Sequence, residues 1–166
     1  MNPIATLHMA NGRNIVIELL PESAPHTVNS FIYTASRGYL DHHAIERIVP
    51  GNWVDVSYTA FGKRECRYLI PNEFELNPDV VPLDSHPGAV CMGGYGEAGL
   101  AGCEFFFPLR DCPDHKGIYP VFGRVLEGMD ELYRLEKVET VPVTDFPIEG
   151  VEVNRPVKPE IIERVE

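Results

Sequence analysis

The first twenty residues alternate between apolar and polar side chains in a way that is typical of paired β-strands. Residues 4–9 have a strand-like composition, and residues 15–19 have one fully apolar face at every second position. Between them lie Asn11 and Gly12, a pair that tolerates the positive φ angles of a two-residue hairpin turn. The pattern therefore predicts an N-terminal β-hairpin.

Helical periodicity follows the hairpin. One face collects apolar side chains three or four positions apart, and these are Ala24, Val28, Phe31, Ile32 and Ala35. Ser23 is placed to cap the first turn, where Pro25 loses no needed hydrogen bond. Gly38 provides the end. We expect an amphipathic helix that covers one opening of a sheet or barrel.

From residue 44 to residue 126 the pattern favours short strands joined by irregular loops. The strand-like runs are residues 45–49, 89–92, 104–109 and 121–125. Residues 93–102 are rich in glycine and lack periodicity, which predicts a loop whose backbone lies close to another part of the chain. A second helix is predicted from Asp130 to Lys137, and a last strand from Glu160 to Val165.

Composition agrees with a single domain over residues 1–166, because 44% hydrophobic residues in a chain of this length can bury a core. The 15 prolines and 14 glycines are evenly spread, which favours many short elements over a helix bundle. With 14 basic and 25 acidic residues the net charge is −11. Such a surface should repel nucleic acid and anionic membranes, and it either keeps the protein soluble or favours basic peptide partners.

The compartment is predicted from three features. The four cysteines form no C-x-x-C pair, the N-terminus does not have the pattern of a signal peptide, and no apolar run reaches membrane-spanning length. We therefore expect reduced thiols in the cytoplasm.

Four sequence blocks occur in order along the chain. They are IVIELLPESAPHTVNSF at 15–31, GYLD at 38–41 with IERIVPG at 45–51, IPNEF at 70–74 with HPG at 86–88 and Met92, and GCEFF at 102–106 with VFGRVLEGM at 121–129. In this order and spacing they resemble the cyclophilin-type peptidyl-prolyl cis-trans isomerases, over about residues 4–165. The chain is similar to a divergent, bacterial-like member of that family.

The resemblance implies a mainly β fold, a closed eight-stranded antiparallel barrel capped by two helices. It implies cis/trans interconversion of Xaa-Pro bonds in protein folding, a reaction that needs no cofactor and no metal. The implied partners are proline-containing peptides or unfolded proteins, and the implied state is a monomer. A non-catalytic proline-peptide-binding or protein-interaction module on the same fold stays open, because a fold does not fix a function.

Arg47 matches the family's catalytic arginine, whose planar and permanently charged guanidinium can donate to the prolyl region as the amide twists. Phe106 matches the aromatic floor of the proline pocket. Strand alternation sends Phe106 to the face opposite Phe105 and Phe107. The resemblance places the other substrate-binding positions at Trp53, Asp55, Met92, Gly93, Gly94 and Tyr119.

Several positions depart from the family's pattern. Asn52 and Trp53 replace apolar residues beside the pocket, and Asp114 replaces its aromatic rim. We therefore expect a wetter socket and weak binding of cyclosporin, the family's cyclic-peptide inhibitor. Asp55 replaces a glutamine, and we predict that its carboxylate contacts Arg47. That contact either fixes the plane of the guanidinium or occupies its donors.

Three other groupings are set aside. His42 and His43 are adjacent, so in an extended segment they point apart, which favours a solvated loop over a metal site. Cys103, grouped with Cys112 and His115 as a candidate thiol site, is better interpreted as a small buried residue. The glycines at 93–96 lack the Lys-Ser/Thr and the helix start of a phosphate-binding loop.

Overall fold

The computed structural model, which describes residues 1–56 and 63–166, consists mainly of β-strands. The elements in chain order are β1 (Ile4–Met9), β2 (Asn14–Leu19), α1 (Pro25–Ser36), β3 (His43–Ala44), β4 (Arg47–Val49), β5 (Trp53–Asp55), β6 (Leu69–Ile70), α2 (Glu73–Leu76), β7 (Ala89–Gly94), β8 (Leu100–Pro108), β9 (Val121–Glu127), α3 (Met129–Glu136), β10 (Thr140–Pro142), β11 (Asn154–Pro156) and β12 (Ile161–Val165). The two predicted long helices are present as α1 and α3, whereas α2 was not predicted.

Nine strands form one antiparallel hydrogen-bonded path in the order β3-β12-β1-β2-β9-β7-β8-β5-β4, and β6 pairs with β8 beside it. The mainly β character is confirmed, but the expected closed eight-stranded barrel is wrong. The sheet is an open, curled half-barrel, and within the described ranges no ladder joins its two ends, β3 and β4. Only Ile45 and Glu46 separate these two very short strands, so the chain itself passes from one edge to the other.

The inner face of the sheet carries the main hydrophobic core. The predicted N-terminal hairpin is present, and Leu7 lies opposite Ile15 with both side chains buried. Phe31 of α1 packs edge-on against Phe105 of β8, with ring centroids 5.3 Å apart. Burial of each such side chain stabilises the fold by about 1.5–3 kcal/mol. The helices therefore cover the concave side of the sheet and leave its outer face available.

The N-terminus of α1 is capped from another element. Ser23 does not cap it, because the N-cap position is Ala24, which has no side-chain acceptor. Instead, Oε1 of the buried Glu73 accepts hydrogen bonds from the amides of His26 (2.9 Å) and Thr27 (3.1 Å). The carboxylate is stabilised there by these N–H groups and by the positive end of the helix dipole.

The glycine-rich segment 93–102 is a hairpin and not the predicted loop. β7 continues to Gly94 and β8 begins at Leu100, so only a short 3₁₀ turn separates them. The expected close approach of the backbone is confirmed at Gly99, which has φ +111°, and where a Cβ would lie 2.5 Å from the carbonyl oxygen of Ile70. A side chain at position 99 would collide with this backbone.

An additional two-stranded ribbon, β10 with β11, follows α3 and was not predicted. Residues 143–153 connect its strands, and we call this segment the arm. The amide of Val143 donates to the carbonyl of Val153 (2.8 Å) where the arm begins and ends.

No helix within residues 1–56 and 63–166 is long and apolar enough to cross a membrane.

We predict that Glu73→Ala lowers the free energy of unfolding by about 2–3 kcal/mol, because two amides of α1 lose a buried acceptor. The matched control is Glu75→Ala, which removes an exposed carboxylate from the same short helix and should change stability by less than about 0.5 kcal/mol. Urea denaturation measures both. Equal losses in the two variants would contradict the capping role.

Candidate active site

A row of side chains crosses the outer face of the sheet. Arg47 of β4 lies opposite Asp55 of β5, Asp55 lies opposite Phe106 of β8, and Phe106 lies opposite Cys91 of β7. Cross-strand partners point to the same face of a sheet. The ladders therefore bring a cation, a carboxylate and an aromatic ring together from three strands.

An aromatic pocket of about 280 Å³ surrounds Phe106. The ring of Phe106 lies 6.1 Å from that of Trp53, 5.8 Å from that of His115 and 5.9 Å from that of Tyr119, measured between centroids. His115 and Tyr119 pack edge-on at 4.8 Å. Edge-to-face packing of this kind holds the rings in fixed orientations, so the pocket has a rigid apolar floor.

Alternation along β8 separates this pocket from the core. Phe105 and Phe107 belong to the main hydrophobic core, whereas Phe106 belongs to a small separate cluster on the other face. This confirms the opposite orientations predicted from three consecutive phenylalanines.

Two groups in the described part of the chain accept hydrogen bonds from the guanidinium of Arg47. Its Nη1 donates to Oδ2 of Asp55 (2.9 Å), and its Nε donates to the carbonyl oxygen of Glu152 in the arm (2.8 Å). The guanidinium carbon also lies 5.6 Å from the centre of the Trp53 ring. The predicted contact between Arg47 and Asp55 is present, and together these contacts fix the orientation of the guanidinium beside the pocket.

Asp55 is a buried carboxylate, only 6% exposed. Burial raises the pKa of Asp55 to about 6, although the charge of Arg47 and its hydrogen bond act in the opposite direction. The carboxyl group therefore gains or loses its proton close to physiological pH. At pH 7 it is ionised and paired with Arg47.

The structure places most, but not all, of the predicted substrate-binding residues on the pocket wall. Trp53, Asp55, Gly93, Gly94, Phe106 and Tyr119 line it, together with Arg47. Met92 does not, because its fully buried side chain belongs to the main core, whereas that of its neighbour Cys91 joins the Phe106 cluster on the other face. The structure therefore places the side chain of Met92 in the core and not on the pocket wall, contrary to the expectation.

The two departures expected to make the socket wetter lie away from its wall. Oδ1 of Asn52 accepts a hydrogen bond from Nε of Arg110 (2.7 Å). The side chain of Asp114 is 72% exposed. Trp53 and His115, which are their neighbours in sequence, line the pocket instead. Neither substituted side chain therefore lies on the pocket wall.

Five further wall residues were not predicted. They are Tyr95, Glu104, His115, Ile148 and Val151. The hydroxyl of Tyr95 donates to the carboxylate of Glu104, with distances of 2.9 and 3.0 Å to its two oxygens. Strand alternation was the available signal for Glu104, because it lies two positions before Phe106 in β8 and therefore on the same face. The signal for His115 was its position directly after Asp114, the predicted rim residue.

The side chain of His115 is 11% exposed, so its ring is mostly but not fully buried. Within the described residues, neither Nδ1 of His115 nor Nε1 of Trp53 has a hydrogen-bond partner. Burial lowers the pKa of His115, while the adjacent Asp114 raises it and Arg110 lowers it. A neutral imidazole suits an apolar pocket, because burying an unpaired charge is costly.

The adjacent histidines and the cysteines, which the sequence did not favour as metal or thiol sites, occupy separate places in the fold. His42 is exposed and pairs with Glu163 (2.8 Å), whereas His43 is buried and its Nε2 lies 3.0 Å from the carbonyl oxygen of Val56. The two rings point apart as expected, but the solvated loop is wrong for His43. All four cysteines lie in the described ranges and are buried as reduced thiols, including Cys103 in the main core.

The structure thus combines a curled antiparallel sheet with an aromatic socket that lies beside the buried Arg47–Asp55 ion pair on the outer face of that sheet. The family model described as "Cyclophilin type peptidyl-prolyl cis-trans isomerase/CLD" matches residues 4–165. The chain therefore belongs to the cyclophilin-type peptidyl-prolyl cis-trans isomerase family.

Two relatives and one solved structure illustrate the similarity. The chain is 30% identical over 152 residues to "Peptidylprolyl isomerase domain and WD repeat-containing protein 1" of Mus musculus, covering 90% of this chain and 23% of that protein. It thus spans about a quarter of the length of that relative. It is 30% identical over 153 residues to "Peptidyl-prolyl cis-trans isomerase-like 1" of Gibberella zeae, covering 92% of this chain and 91% of that protein.

The solved structure is a cyclophilin type peptidyl-prolyl cis-trans isomerase of Cryptosporidium parvum, crystallised in the presence of the dipeptide Ala-Pro. It aligns with a TM-score of 0.77 over 98% of this chain and 97% of that chain, at 16% sequence identity. This likeness shows that the two chains share a fold.

We predict that deprotonation of the buried Asp55 lowers the free energy of unfolding as pH rises. Unfolded Asp55 loses its proton near its ordinary pKa of 3.8 and folded Asp55 near 6, so the folded state is favoured below about pH 4 and loses that advantage as pH rises through 6. Relative to Asp55→Asn, the free energy of unfolding should fall by about 2–3 kcal/mol between pH 4 and pH 7.

Urea denaturation of both proteins across this range checks the prediction. The difference isolates Asp55, because His115, whose lowered pKa acts in the opposite direction, is present in both proteins. A difference that grows as pH rises would show that Arg47 dominates and that the pKa of Asp55 is lowered.

Proposed function

We propose that this chain catalyses cis/trans interconversion of Xaa-Pro peptide bonds in protein folding. The observation that carries the proposal is the juxtaposition of Arg47 and Phe106 on the wall of one pocket. Membership of the isomerase family supports the same conclusion. Catalysis then follows from what these two side chains do to a bound proline.

The reaction requires no covalent chemistry. Amide resonance imposes a torsional barrier of about 18–20 kcal/mol, and uncatalysed exchange of an Xaa-Pro bond takes roughly tens to hundreds of seconds. A catalyst has to bind the twisted amide better than either planar form. The groups needed are a socket for the proline ring, contacts that hold the peptide, and a fixed donor.

The pocket can supply each of these parts. Phe106, Tyr119 and His115 offer a rigid apolar socket for a pyrrolidine ring. The backbone at Gly93 and Gly94 lies on the pocket wall, where it can align an extended peptide. Arg47 is oriented by Asp55 and by the carbonyl of Glu152, so its guanidinium needs little reorganisation as the amide twists.

A non-catalytic proline-peptide-binding or protein-interaction module is the second candidate. One observation favours it: Nη1 and Nε of Arg47 donate to protein oxygens. Donors that are engaged in this way polarise a substrate less strongly. Both candidates use the same socket, and turnover distinguishes them.

The proposed partners are proline-containing peptides and unfolded proteins, and the proposed state is a monomer. The proposed reaction uses no cofactor or metal, and we expect no binding to nucleic acid or membranes. The net charge of −11 supports weak interaction with polyanions. Four buried thiols support the proposed cytoplasmic location, because such thiols persist in a reducing compartment.

We predict that the wild-type protein accelerates cis/trans exchange of a short Xaa-Pro peptide and that Arg47→Ala reduces this acceleration by about 100-fold, as expected for loss of one electrostatic donor. Exchange NMR measures both rates. Arg47→Lys should recover only part of the rate, because lysine keeps the charge without the planar donor geometry.

The matched control is Arg164→Ala, which removes an exposed arginine paired with Glu166 and should leave the rate unchanged. Circular dichroism confirms folding of each variant. If the peptide binds wild type without faster exchange, the isomerase proposal fails and the interaction module replaces it.

A further inference from the structure

The arm contributes apolar side chains to the wall of the pocket that also contains Arg47. Ile148 and Val151 both line the pocket. The carbonyl between them and the ribbon, that of Glu152, accepts the hydrogen bond from Nε of Arg47. The arm is therefore part of the candidate site.

The end of the arm is anchored to the body of the fold. Val153 is 2% exposed, and Nδ2 of Asn154 donates to the carbonyl oxygen of Ile48 in β4 (3.0 Å). Together with the Arg47 contact, these interactions hold the segment against the strand that carries the guanidinium. Side chains on such a fixed segment can shape a binding pocket.

The arm and the aromatic socket occupy different parts of the pocket. The row Arg47, Asp55 and Phe106 runs from β4 to β8, and the arm contacts the Arg47 end while the ring cluster surrounds Phe106. A proline ring on Phe106 therefore leaves a neighbouring residue of the peptide beside the arm. Ile148 and Val151 offer that residue two aliphatic side chains.

We propose that Ile148 and Val151 are specificity-determining residues that select an apolar side chain next to proline; the inference rests on the proposed function, whose peptide substrate it specifies further. Burial of an apolar flank against two aliphatic side chains is favourable. An acidic flank is disfavoured, because the arm carries Asp145, Glu149 and Glu152 on a chain of net charge −11.

The test uses short peptides with a central proline and Ala, Leu or Glu on each side in turn. Trp53 is the single tryptophan and lines the pocket, so its fluorescence reports binding there. Wild type should bind a Leu-flanked peptide about tenfold more tightly than the Ala-flanked peptide. The double variant Ile148→Ser/Val151→Ser should lose this preference, so that its affinities for the Leu-flanked and Ala-flanked peptides become nearly equal.

The matched control is Val141→Ser in β10, because Val141 is 40% exposed and Ile148 is 41% exposed. It should keep the Leu preference. In exchange NMR, the double variant should lose the lower KM of the Leu-flanked peptide relative to the Ala-flanked peptide, whereas Val141→Ser should keep it. The milder variant Val151→Ala should show a smaller loss of the same preference. It replaces the double variant in the binding test if the double variant does not fold.

The possible outcomes separate the two proposals. A Leu preference that survives in the double variant, or is absent from wild type, overturns the inference about the arm. If the Leu preference depends on Ile148 and Val151 but the protein accelerates no exchange, the inference about the arm is supported and the isomerase proposal is overturned. Absence of binding to every peptide overturns both.

Discussion

The buried ion pair between Arg47 and Asp55 is the contact on which the candidate site depends. A carboxylate only 6% exposed needs a nearby cation, and removing either partner would leave an uncompensated charge. The β4–β5 ladder places the two residues opposite one another, and the β5–β8 ladder then places Phe106 beside Asp55. Strand pairing therefore fixes where the guanidinium lies relative to the aromatic socket.

Local patterns predicted the elements whose stabilising contacts are near in sequence. The N-terminal hairpin and α1 follow from alternation, turn residues and helical periodicity, and the structure contains both. The cap of α1 did not follow, because Glu73 lies 46 residues along the chain from Thr27, which it caps. Closure of the sheet was overestimated, since the lengths of β3 and β4 at its two edges depend on tertiary pairing and not on local sequence.

The candidate site was predictable where alternation or charge complementarity decides the outcome. Three consecutive phenylalanines had to divide between two faces, and a carboxylate near an arginine had a clear partner. Met92 was expected on the pocket wall, but alternation along β7 sends its side chain to the main core and that of Cys91 to the Phe106 cluster. The arm was missed because its role comes from a tertiary hydrogen bond to Arg47, for which no periodic signal exists.

A crystal structure with the dipeptide Ala-Pro at saturating concentration tests the central claim most directly. The account predicts the proline ring against Phe106, beside the Tyr119 and His115 rings, with a peptide oxygen within hydrogen-bonding distance of the Arg47 guanidinium. The account is contradicted if the dipeptide instead occupies the groove beside α1, which is lined by tyrosines that include Tyr33 and Tyr68, or if the aromatic pocket contains no dipeptide.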